Sequence, residues 1–272
     1  MHIIHLSKYK GCKMAHTIAI SNSKGGTGKT TIACNLSAGL ALGVTGKKYK
    51  VLLIDTDSQL NASWFYRFNE EDGVLAKVLE GKTPISEAIK PTNIDGLDMI
   101  PAEFALSAVN LAMASAKGGT AALAKVLQMA QGYDFIIIDS PPSLDFLAQA
   151  ILRAANWILI PLEASGFSLK GIEQMVSGFL DVKEKYNPGL KLLGVVASRV
   201  DKRRLLTKDV NAYLESEYGD RVFKTQVRES VTLAESPSHH QPIFEYDPKG
   251  NGSDDMKELI SEILERISNN GK

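Results

Sequence analysis

Two lysines, three threonines and three glycines crowd into one stretch, Ser23-Lys24-Gly25-Gly26-Thr27-Gly28-Lys29-Thr30-Thr31. Glycines carry no side chain, so their backbone N–H groups can close on an anion at the positive end of a following helix. Lys29 is spaced to reach β- and γ-phosphates, and the Thr30 hydroxyl to hold Mg²⁺. Gly25, Gly26, Thr27, Gly28 and Thr31 complete the cradle. The stretch departs from the ordinary pattern G-x-x-x-x-G-K-[ST], because Ser23 stands at the first glycine and Lys24 is an added cation.

Two acidic motifs extend this chemistry. Asp55-Thr56-Asp57-Ser58-Gln59-Leu60-Asn61 follows the apolar run Val51–Ile54. A carboxylate at the end of such a strand can approach a metal nucleotide, so Asp57 is read as a water-mediated Mg²⁺ ligand or as the group that orients attacking water. Further on, Phe135-Ile136-Ile137-Ile138 ends in Asp139-Ser140-Pro141-Pro142. Asp139 would support Mg²⁺ through water, since that ion keeps much of its hydration shell. The proline pair stiffens the next turn, a natural position for a switch that senses the γ-phosphate.

These motifs need strands that end beside one another. Apolar runs predict strands at Thr17–Ile20, Lys50–Asp55, Leu97–Pro101, Phe135–Asp139, Trp157–Pro161, Leu192–Ser198 and Val222–Thr225. Helical patterns fall between them at Thr30–Leu42, Gly73–Leu79, Ala102–Ser115, Gly118–Gln131, Asp145–Ala155, Ser168–Tyr186, Lys208–Tyr218 and Ser253–Ser268. The alternation predicts an α/β fold, a doubly wound and mostly parallel sheet flanked by helices. No repeat or linker divides it, so residues 14–272 read as a single domain. Residues 1–13 form a basic tail that lacks the apolar core of a signal peptide, and Met14 reads as the functional start.

The last helix carries Met256, Leu259, Ile260, Ile263, Leu264 and Ile267 as one apolar stripe, with Ser253 as its cap and Asp254 and Asp255 at its positive end. Its polar face is rich in glutamate, whereas a membrane-surface helix favours Lys and Arg there, so packing on the sheet is expected.

Across the 272 residues, 31 basic and 31 acidic side chains cancel, so any nucleic-acid contact must come from a local patch. Cys12 and Cys34 lie far apart and in no metal-ligand spacing, which speaks for a reducing compartment and against an iron–sulfur or zinc site. No apolar run approaches the ~20 residues of a membrane span.

KGGTGKTT, VLLIDTDSQLNAS, YDFIIIDSPPSL, WILIPLEAS and VTLAESPS, in this order, resemble the ParA/MinD family of deviant-Walker-A P-loop ATPases, and the ParA branch most. The resemblance runs over nearly all the chain from Met14, with Ser58 where the family usually has proline. It implies an ATP hydrolase with ATP and Mg²⁺ as cofactors, working as an ATP-sandwich homodimer. Lys24 would be the signature lysine that reaches the partner's phosphates, Lys29 and Thr30 the phosphate and Mg²⁺ residues, Asp57 the hydrolysis carboxylate and Asp139 the Walker B aspartate. It further implies a cytoplasmic, nucleoid-associated protein that binds DNA without sequence preference. A cargo-bound, ParB-like partner would stimulate hydrolysis. The cargo would be a plasmid, a chromosome region or a protein assembly.

Lys202, Arg203, Arg204 and Arg228 are the candidate DNA contacts. The family's arginines near the last motif are absent, with Glu229 and Thr232 in their places, and acidic residues interleave, so a solvated mixed surface stays open. Ser198-Arg199-Val200-Asp201 falls where the family reads the base; it does not spell N-K-x-D, which favours adenine, and an ordinary strand-to-helix turn stays open there too. The stretch before Thr17 is too short for a helix-turn-helix domain, so operator binding is not expected. A membrane-surface regulator of division or flagellar placement, like the MinD branch, is the alternative. The acidic last helix speaks against it.

Overall fold

A computed structural model describes residues 15–115, 119–163, 168–201 and 205–269. The strands are β1 (His16–Ile20), β2 (Val51–Asp55), β3 (Lys90–Pro91), β4 (Leu97–Ile100), β5 (Phe135–Asp139), β6 (Trp157–Glu163) and β7 (Lys191–Ser198). The helices are α1 (Lys29–Leu42), α2 (Asn61–Phe65), α3 (Leu75–Leu79), α4 (Ile85–Ala88), α5 (Leu106–Ser115), α6 (Ala122–Leu127), α7 (Phe146–Ala154), α8 (Ser168–Lys185), α9 (Leu205–Tyr218), α10 (Val231–Glu235), α11 (Ile243–Tyr246) and α12 (Asn251–Asn269).

The sheet order is β3-β4-β2-β5-β1-β6-β7, parallel except for the antiparallel edge strand β3. The expected doubly wound α/β sheet is therefore the fold. β1, β2 and β5 are continuously apolar because both of their faces are covered. On one face Leu52, Ile54, Ile136 and Ile138 meet the helices from α3 to α8. On the other, Ile18, Ile20, Leu53 and Ile137 meet α1 and α12. Met256, Leu259, Ile260, Ile263 and Ile267 are buried there, so the stripe of the last helix belongs to the core, as expected. Among the described residues no helix is long and apolar enough to cross a membrane.

Two local expectations are corrected. Val222–Thr225 is not a strand: it makes one isolated bridge, Val195 to Val222, the Phe223 N–H donates to the Val195 carbonyl at 2.8 Å, and the two amides after that turn away from the sheet. The N–H groups of Lys224 and Thr225 donate to the Glu262 carboxylate on α12, at 3.1 and 3.0 Å. Ser253 does not cap α12; the helix begins at Asn251, and the Ser253 hydroxyl is buried with no hydrogen-bond partner among the described residues.

Candidate nucleotide site

Adjacency in the sheet assembles the motifs. β1 lies beside β5, and β5 beside β2, with Ile20 opposite Asp139 and Asp139 opposite Asp55. Their carboxyl ends therefore open on one crevice, the place where ligands bind in sheets of this kind. The Ser23–Thr31 loop leaves β1 into α1, and Asp57 lies just beyond β2.

Gly26 and Gly28 have φ of 76° and 82°, a left-handed backbone that glycine adopts without strain. Gly28 precedes the first turn of α1 and no side chain caps it, so the first-turn N–H groups are left to face an anion. The loop is pinned from several sides. Asn22 donates to the Pro161 carbonyl at 2.6 Å and accepts the Lys24 N–H at 3.0 Å. Ser198 Oγ at the end of β7 donates to the Thr27 carbonyl at 2.8 Å.

Lys29 is buried, and its Nζ donates to the Lys24 carbonyl at 3.0 Å. Burial lowers its pKa, while the Asp139 and Asp57 carboxylates act the other way and favour its charge. Lys24 sits at the rim, with its Nζ 2.9 Å from Glu163 Oε2 at the end of β6.

Asp139 is fully buried, and neither carboxylate oxygen has a hydrogen-bond partner among the described residues. Burial pushes its carboxyl well above the ordinary range and Asp55 adds to this; Lys29 and Thr30, whose hydroxyl lies outside hydrogen-bonding geometry, act in the opposite direction. An orphaned buried carboxylate beside a phosphate cradle fits a magnesium nucleotide. Thr30 would hold the ion directly, and Asp57 and Asp139 through water. Bound there, Mg²⁺ would neutralise charge that develops on the transferring phosphate.

Asp57 is held by a chain that the sequence alone does not reveal. Its N–H donates to Asp55 Oδ1 at 3.0 Å, and its own Oδ1 accepts the Gln59 N–H at 3.0 Å. Asp55 Oδ2 accepts both the N–H and the hydroxyl of Ser63, at 2.8 and 2.7 Å. Ser63 Oγ in turn accepts the Ala102 N–H at 2.8 Å. α2 thus fixes the carboxylate that orients the Asp57 loop.

The crevice widens into a cleft of about 930 Å³ lined by Lys29, Thr30, Asp57, Ser198, Arg199 and Leu233, among others. The structure brings Gly25, Gly26, Gly28, Lys29, Thr30, Thr31 and Asp57 to this one cleft. Arg228 also lines it, paired with a carboxylate of α12. Its Nε lies 3.0 and 2.9 Å from the two oxygens of Asp255, which is almost wholly buried. In this ion pair Asp255 is buried, while about a third of the Arg228 side chain, 33%, stays exposed. Lys202, Arg203 and Arg204 lie outside the described residues. Glu163, Ser63 and Asn22 were missed as site residues; only the place of Glu163 at the end of a strand motif signals it.

Comparison with known proteins agrees with this crevice. A family model described as an AAA domain, AAA_31, matches residues 15–192. The chain is 36% identical over 250 residues to the chromosome-partitioning ATPase Soj of Thermus thermophilus, covering 92% of this chain and 96% of that protein. It is 34% identical over 254 residues to the chromosome partitioning protein ParA of Caulobacter vibrioides, covering 92% and 94%. The chain belongs to the ParA/Soj family of P-loop ATPases. The family also extends to the fold. Cobyrinic acid a,c-diamide synthase of Mycobacterium smegmatis, solved with ADP and magnesium, superposes with a TM-score of 0.79 at 27% identity over 95% of this chain and 97% of that one. Apo McdA of Cyanothece shares the fold with a TM-score of 0.82 at 23% identity, over 93% and 99%.

Proposed function

We propose that this family member is a Mg²⁺-dependent ATPase that dimerises on ATP and positions or segregates a DNA-linked or protein cargo. Lys24 carries the reading. The phosphate loop already holds Lys29 within its own cradle, while Lys24 sits at the rim on Glu163. A rim lysine can exchange a surface carboxylate for the phosphates of a second copy. The two composite sites then form only when nucleotide and partner are both present, which links ATP binding to dimerisation.

In this reading Lys29 and Thr30 hold the phosphates and the ion. Asp57 orients the attacking water, and Lys24 stabilises charge in trans. Hydrolysis releases the dimer, and a ParB-like or cargo-adaptor protein sets when that happens. The dimer lies on nucleoid DNA without sequence preference, through phosphate contacts that weaken with salt. Lys202, Arg203 and Arg204 are the residues we assign to those contacts. Residues 14–272 are the working domain and residues 1–13 are dispensable. Relatives named as chromosome-partitioning proteins support the reading, and the apolar stripe of α12 is spent on the core rather than offered to a membrane surface.

The test is a DNA-binding titration with ADP, ATP and the Asp57→Ala variant. ATP-dependent, salt-sensitive, sequence-independent binding that persists longer in Asp57→Ala is expected. Absence of binding at low salt in every nucleotide state would overturn the DNA-borne reading.

A further inference from the structure

Four described residues other than glycine have a left-handed backbone: Leu60 at φ 58°, Arg67 at 66°, Arg199 at 51° and His240 at 54°. Three of them surround α2. Leu60 comes immediately before the helix, Arg67 follows two residues past its end, and His240 lies against it from a distant turn. Such backbones are unfavourable for residues with a side chain, and they persist where the surrounding contacts over-determine them. We propose that His240 is a positioning residue for hydrolysis, which latches α2 and so holds the Asp57 carboxylate, a role that rests on the reading of Asp57 above.

α2 carries the supports of Asp57. The Leu60 N–H donates to the Asp57 carbonyl at 2.9 Å, and the Gln59 N–H to Asp57 Oδ1 at 3.0 Å. Ser63 donates to the Asp55 carboxylate that receives the Asp57 amide. Each donor belongs to the helix or to the turn that leads into it, so a shift of α2 moves the carboxylate. The core fixes one flank of the helix. Ala62 and Phe65 are buried, and the hydroxyl of Tyr66, just past the helix, donates to the Cys34 carbonyl on α1 at 2.8 Å. Trp64 is half exposed on the outer flank.

His240 holds that outer flank. Its Nδ1 lies 2.9 Å from the Trp64 carbonyl, an oxygen that only accepts, so Nδ1 carries the hydrogen. The imidazole also lies against the indole, with ring centroids 4.8 Å apart. The His240 N–H donates to the Pro237 carbonyl at 2.9 Å, which anchors the latch in the turn Ser236–His239. Pro237 and Ser238 of that turn line the nucleotide cleft, as do Asp57 and Trp64. The latch therefore closes a circuit of contacts from the cleft wall through α2 to Asp57. Glycine at position 240 would hold the same backbone with less strain. The hydrogen bond to Trp64 is solvent-exposed and adds little to stability. What the imidazole supplies is the placement of Trp64 rather than the stability of the turn.

The experiment measures ATP affinity, turnover at saturating Mg²⁺–ATP and melting temperature on the full chain, for His240→Gly, His240→Asn, Ser63→Ala and His240→Gly/Ser63→Ala. His240→Gly should melt close to the parent, because relief of the backbone offsets the lost contacts. Its turnover should fall about tenfold, since small misplacements of a catalytic group are costly, while ATP affinity stays within about twofold. Asparagine tolerates the left-handed backbone and puts an amide nitrogen where Nδ1 stands, so His240→Asn should recover most of the turnover. In the Ser63→Ala background His240→Gly should add less than about twofold, since both act through the same helix. His240→Gly turning over like the parent, or losing affinity in place of turnover, would overturn the latch. So would His240→Asn as slow as His240→Gly, or losses that multiply in the double variant. If instead Asp57→Ala turns over like the parent, the role of Asp57 fails and the latch with it.

Discussion

Asp55 and Asp139 stand opposite each other on β2 and β5, and both carboxyls are completely buried. Burial pushes Asp55 up to about 6 against the hydrogen bonds from Ser63 and Asp57, and pushes Asp139 well above the ordinary range. In the unfolded chain both would titrate near pH ~4. The folded protein therefore holds protons that the unfolded chain has released, and the stability this provides is full below pH ~4. It is lost as pH rises through about 6, the Asp55 value, and further toward the higher Asp139 value. Nucleotide-free protein should gain stability from this pair as pH falls from 8 to 5. Asp139→Asn should flatten that slope and raise the melting temperature most at pH 8. Thermal melts across the range decide it; a variant with the parent's slope would remove the pair as the source.

Ser63 gives a second expectation. Its hydroxyl donates to Asp55 and accepts from the Ala102 N–H, so Ser63→Ala leaves a buried carboxylate and a buried amide short of partners. A loss of about 2–3 kcal/mol is expected from chemical denaturation. Hydrolysis should slow as well, with nucleotide affinity little changed, because Asp55 holds the Asp57 amide. Equal stability of variant and parent would contradict this account of the chain.

The Arg228–Asp255 pair separates a structural cation from a DNA contact. Arg228→Ala would leave the buried Asp255 without its counter-charge, keeping only the N–H of residue 228 as a donor, at a cost of about 3 kcal/mol. Any loss of DNA binding in Arg228→Ala should then follow the loss of fold, whereas Arg228→Ala/Asp255→Asn should recover part of the stability. If Arg228→Ala melts like the parent yet loses DNA, the arginine is a surface contact after all.

Lys24 and Lys29 should differ in kind. Lys29→Ala should weaken ATP binding at least about tenfold, since it removes the cation inside the cradle. Lys24→Ala should keep ATP binding but lose the ATP-dependent dimer. Glu163→Gln should free the rim lysine from its 2.9 Å ion pair and favour the dimer. Titration with a fluorescent nucleotide, together with light scattering in ATP and ADP, reads both. A Lys24→Ala dimer of unchanged strength would refute the role in trans.

Much of the molecule was legible from the chain. The apolar runs named every parallel strand because each is covered on both faces, and such strands need no polar alternation. The short helices α2, α4, α10 and α11 were not, since four or five residues hold too little periodicity to stand out. Val222–Thr225 misled because its first residues pack along β7 while the Lys224 and Thr225 amides go to Glu262, forty residues or so further on.

The sequence by itself determined the phosphate loop, its extra lysine and the two strand-end aspartates, because local spacing dictates which backbone and side-chain groups can meet a phosphate. Only the tertiary structure decided the partners of those groups. Glu163 on Lys24, Ser63 on Asp55, Asp255 on Arg228 and Gly26 under Arg199 are contacts between distant segments. They follow from strand order and burial, which bring together charges whose separation along the chain carries no signal. Whether an arginine is a surface cation or an internal ion pair depends on what the fold sets beside it.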